Sequence, residues 1–132
     1  MDTSKEYIKM CDCEEIQGHR PGHWDAIISF WASENVFMDG SGDYWVVKDG
    51  YNLNEKIWLP TQDKIQEMMD LVEMNCDDIH ELFCNLASWH DENFVDIYYV
   101  QKLDSGEQLW LAFYMDEKYS KVWTGTEWGK KN

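Results

Sequence analysis

"IWLPTQDKIQEMM", residues 57–69, changes from one periodicity to another within thirteen positions. Ile57, Trp58 and Leu59 are strand formers. Pro60 lacks the N–H a ladder needs, so the strand stops there. Thr61 is a favourable N-cap, and a helix is predicted from Gln62 to Val72. Ile65, Met68, Met69 and Val72 recur at i, i+3, i+4 and i+7. Asp63, Glu67, Asp70 and Glu73 form a second stripe. At about 100° per residue the two stripes centre nearly half a turn apart. Such a helix lies on a core with its carboxylates in water.

Upstream of this joint the sequence reads as strands and turns. Residues 24–31, WDAIISFW, alternate: Trp24, Ala26, Ile28 and Phe30 share one side. NVFM, residues 35–38, reads as a continuation after a break. DGSGD (39–43) is turn chemistry, YWVVK a second strand, KDGYN a second turn and KIWL a third strand. The spacing predicts an antiparallel meander. At the N-terminus, residues 4–17 read as one helix, capped by Ser4, with Tyr7, Met10 and Cys11 on one face.

Downstream the pattern is helical. Residues 78–90, DIHELFCNLASWH, open with Asp78 and Glu81 in capping-box spacing, and Ile79, Leu82, Phe83 and Leu86 form the expected buried stripe. Residues 94–100, FVDIYYV, fit a strand by composition and a helix by spacing. Ser105 and Gln108 make a second capping box before LWLAFYMDEKY, which is apolar on nearly every side at first and therefore central. KVWTGTEW (121–128) reads as a hairpin around Gly125. The expected architecture is α+β: one domain over residues 1–132, with a small antiparallel meander packed against three or four helices.

Composition narrows the function classes. The chain has 132 residues, 26 acidic against 11 basic, and a formal net charge of −15. A surface this negative repels phosphate backbones and anionic lipid, which argues against direct nucleic-acid or membrane binding. It attracts basic protein partners, in a salt-dependent way. Residues 63–96 concentrate the effect, with ten acidic side chains against Lys64 alone. The longest apolar run, residues 109–115, is far short of the roughly 20 residues a membrane-spanning helix needs. The opening residues MDTSKEYIKM show no signal-peptide pattern, so a cytoplasmic location with Cys11, Cys13, Cys76 and Cys84 reduced is expected.

Two segments carry a family likeness. WLPTQDKIQEM (58–68) and EQLWLAFYMDEKYSKVW (107–123) resemble signatures of short, uncharacterised proteins encoded by phages and prophages of Gram-positive bacteria. KEYIKMC (5–11) and the final Trp123, Gly125 and Trp128 are similar in order and spacing. The resemblance implies a phage or prophage origin and a bacterial cytoplasm. It carries no activity, ligand or catalytic residue onto this chain.

Chemical motifs are sparse. Cys11, Cys13, His19 and His23 form C-x-C-x5-H-x3-H. Two cysteines two residues apart on one helix diverge by about 200°, and the usual C-x2-C spacing is missing, so no zinc site is expected. Asp39, Ser41 and Asp43 match the first ligands of a calcium loop, but its glycine is replaced by Tyr44 and its final glutamate by Gly50. His90, Asp91 and Glu92 suggest an acid–base cluster, and equally a helix end followed by loop acids. No phosphate loop, nucleophile elbow, dinucleotide fingerprint or zinc-protease motif is present.

The expectation is therefore a non-enzymatic protein without metal or cofactor, working through contact with another protein. Two surfaces are candidates: the acidic face Asp63, Glu67, Asp70 and Glu73, and an aromatic surface of Trp24, Trp31, Trp45 and Trp58 on adjacent strands. The alternative is an inhibitor of a host nucleic-acid-binding protein that imitates DNA charge. DNA carries a charge every ~3.4 Å per strand, against ~4.5–6 Å between carboxylates along a helix of 1.5 Å rise.

Overall fold

A computed structural model describes residues 1–22, 30–33, 36–47, 56–71, 73–96 and 103–130. The architecture is α+β. Among the described residues there are five helices, a four-stranded antiparallel meander and a two-stranded hairpin. The chain groups into two compact units that meet in sequence at Thr61 and Gln62, inside the stretch where strand gives way to helix.

In the first unit, α1 (Lys5–Cys11) is capped by Ser4, whose hydroxyl accepts from the Tyr7 N–H at 3.2 Å. Tyr7, Met10 and Cys11 are fully buried. The single helix expected over 4–17 is broken: α1 stops at Cys11, and α2 (Glu14–Gln17) starts after an extended Cys13. The reason is rotational. On one straight helix Ile16 would lie about 180° from Tyr7, at 100° per residue. The break allows Ile16 to be buried as completely as Tyr7.

The sheet order is β1 (Phe30–Ser33), β2 (Val36–Met38), β3 (Tyr44–Val47) and β4 (Lys56–Leu59). β2 does not extend β1, as the sequence suggested. It pairs back antiparallel, with Phe30 opposite Met38 and Ser33 opposite Val36. Two residues between apolar runs are enough for a hairpin connection. Of the strand expected at 24–31, only Phe30 and Trp31 fall among the described residues, and the expected 48–52 turn lies outside them. β3 and β4 place Trp45 opposite Trp58 and Val46 opposite Ile57. All four are buried, so this pair of strands is covered on both faces.

Two contacts tie the N-terminal helices to β4. The Tyr7 hydroxyl donates to the Pro60 carbonyl at 2.5 Å. The Gln17 side chain lies against Trp58 as a strand would: its Oε1 accepts from the Trp58 N–H, and its Nε2 donates to the Trp58 carbonyl, both at 2.9 Å. The same Nε2 donates to the Cys11 carbonyl at 2.9 Å. One side-chain amide thus occupies a backbone edge that would otherwise be open to pairing.

In the second unit, α3 (Gln62–Met68) begins after Thr61, where the sequence places its cap, but ends short of Val72. Its last turn holds Glu67 and no basic residue. A carboxylate there opposes the helix dipole, and Asp70 and Glu73 would have added like charges at i+3. The chain instead turns through Asn75, in the left-handed region at φ 58°. Backbone bonds from Met74 to Asp70 and from Cys76 to Leu71 hold this segment.

α4 (Ile79–Asp96) is longer than the 78–90 expected and takes in the first three residues of the ambiguous 94–100 stretch, the rest of which lies outside the described residues. The Asp78 carboxylate accepts from the Glu81 N–H at 3.0 Å, and Glu81 reaches back to the Asp77 N–H at 2.6 Å. Ser105 and Gln108 repeat this at α5 (Gly106–Tyr119), with Gln108 reaching the Asp104 N–H. Both boxes close one residue earlier than the standard form, in which the side chain returns to the N-cap itself.

α5 is the centre of this unit. Gln108 and every residue from Trp110 to Asp116 are buried, and α3, α4 and β5 all pack on it. Gly106 lies close under α3: a Cβ there would meet Gln62 Oε1 at 2.5 Å, so the Gln62 side chain would have to move. The stripe of α4 that reaches this core is Leu82, Leu86, Trp89 and Asn93. Ile79 and Phe83, expected in that stripe, are 48% and 43% exposed. The hairpin β5 (Lys121–Trp123) and β6 (Trp128–Lys130) turns at Gly125, whose φ of 102° favours glycine.

Candidate functional site

Asp63 and Glu67, one turn apart on α3, are both exposed. Asp70 and Glu73 are exposed as well, from the irregular segment that follows. Asp77, Asp78, Glu81, Asp91 and Glu92 are also exposed, which makes nine solvent-facing carboxylates between residues 63 and 92, where Lys64 alone is basic. Lys64 lies 3.5 Å from Glu67 and Lys118 lies 4.0 Å from Glu73. Exposed pairs of this kind are worth roughly 0.2–1 kcal/mol each. The four candidate residues are therefore exposed within a stretch of chain dominated by negative charge.

The aromatic surface does not form at Trp45 and Trp58, which are 1% and 2% exposed. Two flat, apolar side chains opposite each other on β3 and β4 gain more from burial than from display. Trp31 belongs to β1 through its backbone, and Trp24 lies outside the described residues.

Burial of these indoles depends on carboxylates whose role was not visible in the sequence. In the turn 39–43 the Asp39 carboxylate accepts from the Ser41 and Asp43 N–H groups and from Trp45 Nε1, at 2.9, 3.0 and 2.9 Å. Asp43 accepts from Trp58 Nε1 at 3.4 Å. The residues that resembled a calcium loop are thus turned toward backbone and indole donors. Asp39 is 1% exposed. A buried carboxylate is tolerated when several donors replace its water. The signal available was the spacing of Asp39, Gly42 and Trp45, which specifies a turn but not which donor fills it.

His90, Asp91 and Glu92 lie within α4, not at its end as expected. Successive residues on a helix diverge by about 100°, and Asp91 and Glu92 are exposed. His90 Nδ1 and Asp91 Oδ1 stand 3.8 Å apart. Asp91 and Glu92 thus face solvent from neighbouring positions on the helix, which describes a solvated helix face.

The cysteines divide by environment. Burial pushes the Cys11 thiol well above its ordinary range, with Cys13 adding to the effect. Burial likewise pushes Cys13 up to about 11. Cys76 is raised by burial first and by the Glu81 carboxylate next, while Asn85 donates to its sulfur at 3.0 Å. Cys84 is exposed on α4, its Sγ 3.8 Å from His80 Nε2. Of the C-x-C-x5-H-x3-H pattern, Cys11 is sealed in the core, His19 is exposed and His23 lies outside the described residues. Among the described residues no group of three or more His, Cys, Asp or Glu side chains is placed to hold one metal ion, and no helix is long and apolar enough to cross a membrane.

Comparison with protein-family models, with curated proteins and with solved structures found no significant match for this chain.

Proposed function

We propose that this chain acts without catalysis, by protein–protein contact, and that the face bearing Asp63, Glu67, Asp70 and Glu73 meets a basic surface on its partner. The observation that carries this reading is the run of nine exposed carboxylates between residues 63 and 92 with Lys64 as the sole basic residue. A field of that sign steers basic proteins toward it and turns polyphosphates away. The resemblance of residues 58–68 and 107–123 to phage and prophage proteins supports a partner in the bacterial cytoplasm.

Charge mimicry of DNA is the second reading. It would be favoured by carboxylates at a regular pitch. α3 ends at Met68, so only Asp63 and Glu67 share a helical register. A less regular electrostatic contact is therefore the better account.

Immobilised protein exposed to bacterial lysate at about 50 and about 300 mM salt separates the readings. Electrostatic contact predicts a specific protein retained at low salt, released at high salt and indifferent to added DNA. Release by DNA favours mimicry, with a nucleic-acid-binding protein as the target. Retention at both salts contradicts an electrostatic interface.

A further inference from the structure

We propose that His80 and Cys84 form a two-residue clamp for a thiophilic divalent cation of the zinc type on the exposed face of α4. The two are separated by one helical turn, the spacing at which side chains on one face meet. Their ligating atoms, Nε2 and Sγ, stand 3.8 Å apart. A tetrahedral zinc ion with Zn–N of about 2.0–2.1 Å and Zn–S of about 2.3 Å needs its nitrogen and sulfur about 3.6 Å apart. The pair therefore reaches the bite of the ion with a shift of a few tenths of an ångström in two exposed, rotatable side chains.

The surroundings favour a cation. His80 lies in the first turn of α4, where the backbone dipole alone would repel one. Asp77, Asp78 and Glu81 are exposed next to it in sequence, and their negative charge opposes that repulsion. Without metal the same approach is a weak contact between thiol and imidazole. With metal, the Sγ–H bond breaks, its proton leaves to solvent, and thiolate sulfur and imidazole nitrogen each donate a lone pair to the ion. No third side chain converges here among the described residues, so water completes the coordination and binding is correspondingly weak and exchangeable. Cys11, Cys13 and Cys76 are poorer competitors, because each is buried or half-buried as a neutral thiol.

Cobalt(II) titration of the full chain under reducing conditions tests the clamp, because only a thiolate–cobalt bond adds the charge-transfer absorption in the near ultraviolet. The expected result is a band that rises to saturation with excess cobalt along a single-site curve, is displaced by zinc, disappears in Cys84→Ser and needs at least tenfold more cobalt in His80→Ala. Both positions are exposed, so both variants keep the fold, which circular dichroism checks. Absence of the band in the unaltered chain overturns the proposal. So does its survival in Cys84→Ser, or unchanged cobalt affinity in His80→Ala.

Discussion

The indole N–H of Trp89 donates to Asp116 Oδ2 across 2.7 Å, joining α4 to α5 through a buried, charged hydrogen bond. Trp89 also packs against Phe113 with ring centroids 5.5 Å apart. Together with Trp45 on Asp39 and Trp58 on Asp43 it shows one device used three times: a large apolar ring is buried, and its single donor is matched by an aspartate.

Trp89→Phe keeps most of the ring contact and removes this donor. Hydrogen bonds to charged groups contribute roughly 1.5–3 kcal/mol. The expected outcome in urea denaturation is a loss of that order with an unchanged slope. Trp89→Leu should cost more, since ring packing goes as well. Equal stability of Trp89→Phe and the unaltered chain would show that the bond contributes nothing.

Gln17 makes a similar demand on a backbone edge. Gln17→Ala removes the partners it offers to Trp58 N–H, Trp58 carbonyl and Cys11 carbonyl. The expected loss is about 1–3 kcal/mol, the cost of stranding buried polar groups. Gln17→Glu retains an acceptor but turns a carboxylate oxygen toward two carbonyls. It should be at least as destabilising as alanine at neutral pH. A glutamate variant as stable as the unaltered chain would mean that Nε2 is not the working group.

Cys13 links stability to alkaline pH. Its thiol titrates near 11 in the folded chain, against an ordinary value of 9.0, because burial disfavours the thiolate. Above pH 9 the unfolded chain loses this proton while the folded chain keeps it, so stability falls as pH rises. The contribution is complete below pH 9 and is gone above about 11. Melting temperatures of the unaltered chain and Cys13→Ser, taken from pH 8 to 11, should therefore shift against each other within that window, with the unaltered chain falling faster. Parallel curves would remove Cys13 as the cause.

The sequence was most informative where one residue's chemistry settles the backbone. Pro60 stops β4, Ser4 and Ser105 cap α1 and α5, and Gly125 turns the last hairpin, each where the pattern placed it. It was ambiguous where two faces of an element are equally apolar. On α4, Ile79 and Phe83 match helical spacing as well as Trp89 does, and Asn93, which belongs to the true stripe, looks polar. Asn93 is buried because its amide donates to the Trp89 carbonyl at 2.7 Å, a local bond that no hydropathy pattern encodes. The break after Cys11 was hidden for a related reason, since Ile16 was out of phase with Tyr7 only if the helix stayed straight. For the candidate site, the acidity of residues 63–96 was plain from composition, and the exposure of Asp63 and Glu67 followed from periodicity. The end of α3 at Met68 was not legible, because no glycine or proline marks it.

The central claim is that the placement of negative charge, not its total, makes the contact. Two charge-matched variants test it most directly. One carries Asp63→Asn, Glu67→Gln, Asp70→Asn and Glu73→Gln. The other carries four neutral replacements at exposed acids elsewhere: Asp12→Asn, Glu14→Gln, Asp104→Asn and Glu127→Gln. Capture of the same bacterial protein is compared at about 50 mM salt, where exposed charges interact over more than 10 Å. The account predicts that the first variant loses the partner, while the second retains it as the unaltered chain does. Equal retention by both variants, or equal loss from both, would contradict it.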